Sequence, residues 1–197
     1  AVFLSGASAP QYQVSTNGAV AIDGVKNNVY GSSAVRTALT SLIQQGSTQT
    51  LENEYTRVTT RAVTAESQIT SGLSAVTLAT PFPNNNSLAN QMKMVARLIG
   101  ARSALGSKRQ VFMVSLGGFD LHDNLIAQHP TALGRVSDAM SSFYAATVEM
   151  GIADKVTAFT ASDFGRTLVS NGDGSDHGWG SHHLMVGGAV KGKAFYG

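Results

Sequence analysis

Cysteine is absent from all 197 residues. Disulfides, thiolate metal ligands and cysteine nucleophiles are therefore excluded, while the redox compartment stays open. Charge is scarce too: Asp, Glu, Lys and Arg make up 13% of the chain, so the surface must draw on Ser, Thr, Asn and Gln. The net charge of +2 comes from scattered residues, and no run of Lys or Arg interleaved with aromatics marks a nucleic-acid path. No stretch of about 18 uninterrupted apolar residues exists, so no segment reads as a membrane span. No signal peptide opens the chain, which begins at Ala1 and is expected to be a processed or partial product.

What is present is enough for one core. With 43% hydrophobic residues, the chain can bury a single domain spanning residues 1–197, and disorder as a whole is not expected. Val2-Phe3-Leu4 reads as a strand ending at Ser5-Gly6-Ala7, and residues 10–30 read as loop or irregular hairpin. Val35, Ala38, Leu39, Leu42 and Ile43 recur at helical spacing over 32–45, with Gly46 as a stop. A second helix is expected from Ser47 through Ile69, weakened by its many threonines. Pro81, Pro83 and the Asn84-Asn85-Asn86 run break the chain. Ser87 is then a suitable N-cap for a third helix, in which Met92 and Met94 read as packing.

The second half changes character. Val111–Leu116 is a continuous apolar run of the kind found in strands buried on both faces. Pro130-Thr131 starts a fourth helix that ends at Gly151. Residues 155–161 and 184–186 are further strands. Strand, loop, helix, strand, loop, strand is the order of an α/β domain: a mostly parallel sheet with helices on both faces. Such sheets take ligands at the carboxyl ends of their strands.

Three polar loops fall at or beside those ends: 117–124, 162–167 and 173–183. All five histidines lie between His122 and His183. Asp120 and His122 flank one residue, so on an extended strand end they point to one side and can share an ion. The alternative is that Asp120 caps the following turn and His122 packs on it. Asp163 follows a strand directly, and Arg166 could pair with it or present a fork to an oxyanion. Asp176-His177-Gly178 lies in a glycine-rich loop, with His182 and His183 just before the last strand. Gly172, Gly174, Gly178 and Gly180 give that loop a backbone able to wrap a ligand, and Trp179 either walls the site or covers the sheet edge. Histidines and carboxylates together favour a metal site over isolated polar residues. An O/N donor set without sulfur suits Zn, Mn or another divalent ion.

The segments VSLGGFDLHDN, HPTALGRVSDAMSSFYAATVE, TAFTASDFGRT and GSDHGWGSHHLMVGGAVKGKAFYG cover most of residues 111–197. At these residues the chain resembles a bacterial family known as domain of unknown function 1501, which itself looks like a branch of the alkaline phosphatase and sulfatase superfamily. The resemblance implies an alkaline-phosphatase-like fold. Carried over residue by residue, it implies Asp120, His122 and His177 as ligands of one ion and Asp163 of a second, with Arg166 near the anion. Phe164 stands where the superfamily usually has His, so the second site departs from the pattern unless His182 or His183 substitutes. The superfamily's nucleophilic Ser or Thr and its first metal carboxylate have no counterpart here. The ending at Tyr196-Gly197 looks early, and the chain is therefore expected to be a partial domain. The activity implied is metal-dependent hydrolysis of small-molecule phosphate or sulfate esters by a periplasmic or extracellular protein. The alternative is a non-catalytic protein of the same location that keeps the scaffold with at most one structural ion. Substrate and oligomeric state are not legible.

Overall fold

A computed structural model describes residues 30–197, Thr16, Asn28 and the backbone of segments 2–6 and 9–14. The remainder of the irregular region expected over 10–30 lies outside the described residues. Strands β1 (Val2–Gly6) and β2 (Ala9–Val14) pair antiparallel.

Helix α1 (Ser33–Ile43) begins where Ser32 Oγ accepts from the Val35 N–H at 3.3 Å, and it buries none of its residues. Helix α2 (Thr50–Ser74) starts three residues later than Ser47 and runs five past Ile69. Its threonines are accommodated by bonds back along the helix, as where the Thr64 hydroxyl donates to the Thr60 carbonyl at 3.0 Å. Only its last turns are buried, at Ala65, Ile69, Gly72 and Leu73. Helix α3 (Ser87–Gly100) is capped by Asn86 rather than Ser87. Asn86 Oδ1 accepts from the Leu88 and Ala89 N–H groups at 3.1 and 3.2 Å, and its Nδ2 donates to the Arg135 carbonyl at 2.7 Å. One amide thus caps a helix and ties it to its neighbour.

That neighbour is helix α4 (Leu125–Glu149), which begins before Pro130 and carries it inside. The start is set from outside the helix: the Leu125 N–H donates to the Asp173 carbonyl at 3.0 Å. Pro130 consequently forfeits one bond near the N-terminus instead of opening the helix. Helices α3 and α4 form the core, where Met94, Val95, Leu98 and Ile99 meet Val136, Ala139, Met140 and Phe143.

Strand β3 (Gln110–Met113) pairs antiparallel with β1. Phe112, Val114 and Leu116 pack on the helical core, whereas Val111 and Met113 are exposed. The run is therefore covered on one face among the described residues, not on two; alternation was hidden because both faces carry apolar side chains. After the 3-10 turn Ala153–Lys155, β4 (Thr157–Phe159) pairs antiparallel with β7 (Met185–Gly187). Between them β5 (Gly165–Ser170) and β6 (Ser175–Gly178) form an antiparallel hairpin. All described strand pairs are antiparallel, in one sheet of three strands and two of two; the parallel pairing expected from element order is not among them. The second and third polar segments are the two arms of that one hairpin, and this positions the site.

Candidate metal centre

Asp120 and His122 stand on either side of Leu121, which is buried. Anchoring the middle residue turns its two neighbours outward together, as the extended spacing predicts. The hairpin brings the rest. Arg166 on β5 and His177 on β6 are cross-strand partners, and directly opposed residues project from the same face.

Three side chains converge on one carboxylate oxygen of Asp120. His177 Nε2 lies 2.7 Å from Asp120 Oδ1, His122 Nε2 3.1 Å, and Arg166 Nη2 3.6 Å. These donors hold the Asp120 carboxyl below its ordinary range, the His177 hydrogen bond most strongly, against an opposing contribution from desolvation. Asp120, His122 and His177 each offer one ligand atom, all within 4.8 Å of one another. Two imidazole nitrogens and a carboxylate oxygen are a donor set that suits Zn, Mn or Fe(II), and three protein ligands leave positions open to a substrate or solvent. The residues present therefore fit a divalent ion.

The expected pairing of Arg166 with Asp163 is replaced by a longer-range one. The guanidinium donates through Nη1 to the Ser175 carbonyl and through Nη2 to the Phe119 carbonyl. It thereby clamps the segment bearing Asp120 to the hairpin. Its Cζ also lies 5.1 Å from the centre of the Phe164 ring. Asp163 is exposed and lies outside the group around Asp120. Phe164, next to it, stacks on His177 with ring centres 4.2 Å apart and planes at 12°, fixing that imidazole in place. His182 and His183 are exposed and also outside the group; His183 Nδ1 instead lies 3.4 Å from Thr160 Oγ1.

Two glycines are required by close approach, not by ligand wrapping. A Cβ at Gly174 would overlap the His122 carbonyl oxygen, and one at Gly178 would come within 2.6 Å of the Thr167 nitrogen. The first seats the hairpin turn on the His122 backbone and the second lets the two arms meet. Trp179 is exposed.

Sequence reasoning gave no role to Asp176 or Asn171. Asp176 Oδ1 lies 3.2 Å from His122 Nδ1 and accepts from Asn171 Nδ2 at 3.1 Å. These contacts hold the Asp176 carboxyl below its ordinary range, the Asn171 bond first and the His122 bond second. A carboxylate adjoining a ligand histidine was the available signal, but its partner is the other histidine, on the loop that precedes α4.

A family model described as a protein of unknown function (DUF1501) matches residues 6–197. No curated protein and no solved structure matches the chain.

Proposed function

The chain belongs to the DUF1501 family, and from that premise we propose that it is a metal-dependent hydrolase of phosphate or sulfate esters on an alkaline-phosphatase-like α/β scaffold. The observation that carries the reading is the convergence of the Asp120, His122 and His177 ligand atoms within 4.8 Å. A divalent ion held there would supply Lewis-acid polarisation of an ester oxygen. Arg166, 22% exposed and fixed by two carbonyls, presents its remaining N–H groups toward an anion beside that carboxylate. Asp163, outside the group of three, would belong to a second ion. A periplasmic or extracellular location belongs to the same proposal; no helix among the described residues is long and apolar enough to cross a membrane.

A second reading is a non-catalytic protein that keeps the scaffold with at most one structural ion. It is favoured by Phe164, whose ring occupies the flank of His177, where a further imidazole would be needed to build a two-ion centre. Turnover of aryl phosphate and aryl sulfate esters with added Zn or Mn, run alongside metal analysis, separates the two. Turnover that disappears with chelator supports the hydrolase. Bound metal with no turnover of either ester class supports the second reading, and no bound metal sinks the hydrolase.

A further inference from the structure

His122 touches a carboxylate with each of its ring nitrogens: Nε2 lies 3.1 Å from Asp120 Oδ1 and Nδ1 lies 3.2 Å from Asp176 Oδ1. A neutral imidazole has one N–H and one lone pair, so the two sides cannot be equivalent. The side facing Asp120 also faces His177 Nε2 and is the side on which the three ligand atoms gather. The other side is where a hydrogen-bond acceptor would select the tautomer.

The acceptor is itself fixed. Asn171 Nδ2 donates both to Asp176 Oδ1 and to the His122 carbonyl, each at 3.1 Å, while Asn171 Oδ1 accepts from the Gly174 N–H at 2.9 Å. One amide at the hairpin turn thus holds the backbone of His122 and the carboxylate that meets its ring. His177 is held differently, by the Phe164 ring stacked on it. The two imidazoles of the centre therefore depend on different supports.

We propose that Asp176, steadied by Asn171, is the positioning residue that accepts the Nδ1–H of His122 and so makes Nε2 its metal-binding nitrogen. The assignment rests on the metal-centre reading above. It requires no covalent step: the carboxylate orients the ring, sets its tautomer and raises its basicity as a ligand.

The test uses zinc as the probe, with affinity read by competition against a chromophoric zinc indicator and the His122 ring read by long-range proton–nitrogen spectra of histidine-labelled protein. In the zinc-loaded parent, His122 shows a metal-bound Nε2 and a protonated Nδ1. Asp176→Ala weakens zinc binding about 10–100-fold and loses that Nδ1–H signal. Asp176→Asn, which keeps an oxygen acceptor and serves where the alanine variant misfolds, loses less. If Asp176→Ala binds zinc as the parent does, the proposal fails while the metal centre stands. If affinity falls with the His122 pattern unchanged, Asp176 acts only through the fold and the proposal again fails. A parent that binds no zinc overturns the metal-centre reading, and this assignment with it.

Discussion

Arg166 and His177 face each other across the β5–β6 hairpin, and both reach Asp120, which comes from a different part of the chain. The centre is thus a junction between two parts of the chain: a loop carried by the helical core and a hairpin laid on it. Its ligand geometry depends on how well the hairpin is seated.

Removing a ligand and removing a support should differ in size. His177→Ala deletes one of three ligand atoms, and its metal affinity is expected to fall by more than the about 10–100-fold that loss of an outer partner costs. Metal content after dialysis, measured beside the parent, checks this. Equal content in the two proteins would remove His177 from the site.

Gly174→Ala should dismantle the centre without dismantling the fold. A Cβ there meets the His122 carbonyl, a backbone atom that cannot swing away as a side-chain tip can. The hairpin must lift, at about 1–3 kcal/mol, carrying His177 and Arg166 from Asp120. The turn meets α4 at its first residue, where the Leu125 N–H donates to the Asp173 carbonyl, away from the apolar core of α3 and α4, so far-UV circular dichroism should keep most of its helical signal while metal affinity is lost. Parent-like metal affinity would show that the hairpin does not need this close contact.

Glu149 offers a pH test away from the site. Its carboxylate accepts from the Ala79 and Thr80 N–H groups at 2.7 and 2.8 Å and from the Thr80 hydroxyl. These bonds hold its pKa below the ordinary value of 4.5, the Thr80 hydroxyl most strongly. A depressed carboxyl pKa contributes stability that is present above the ordinary value and is lost as pH falls through the folded one. Glu149→Gln should therefore unfold at lower urea than the parent at neutral pH, and the difference should shrink once the pH drops below the ordinary carboxyl range. A difference independent of pH would mean that the loss is one of shape, not charge.

The sequence revealed more of the helices than of the hairpin, for identifiable reasons. Core positions of α3 and α4 repeat at helical spacing, and burial follows that spacing at Met92, Val95, Ile99, Val136 and Phe143. The α3 cap was displaced by one residue because Asn86 and Ser87 are both competent acceptors. The start of α4 was hidden because its determinant, the Asp173 carbonyl, lies far along the chain. The β5–β6 hairpin gave no alternating pattern, since its register is irregular between Arg166 and Ser170 and its Leu168 and Val169 are exposed. For the centre, the Asp120–His122 spacing was legible because it is local. The partner of Arg166 was not: Asp163 is near in sequence, but antiparallel register turns Arg166 toward Asp120.

Arg166 is where clamp and anion fork can be told apart. Its guanidinium serves the Ser175 and Phe119 carbonyls through two different nitrogens, a planar geometry that a lysine ammonium on a flexible stem does not reproduce. Hydrogen bonds to a charged group contribute about 1.5–3 kcal/mol each, and this side chain is mostly buried. Arg166→Lys is therefore expected to lose about 1–3 kcal/mol of stability despite keeping its charge, read as a lower urea midpoint at unchanged slope. Anion binding responds to the remaining N–H groups and to charge. With zinc bound, Arg166→Ala should weaken inhibition of ester turnover by inorganic phosphate, and Arg166→Lys should weaken it less. Parent-like phosphate inhibition in the alanine variant, with stability lost, would leave Arg166 as a clamp and withdraw it from the anion site.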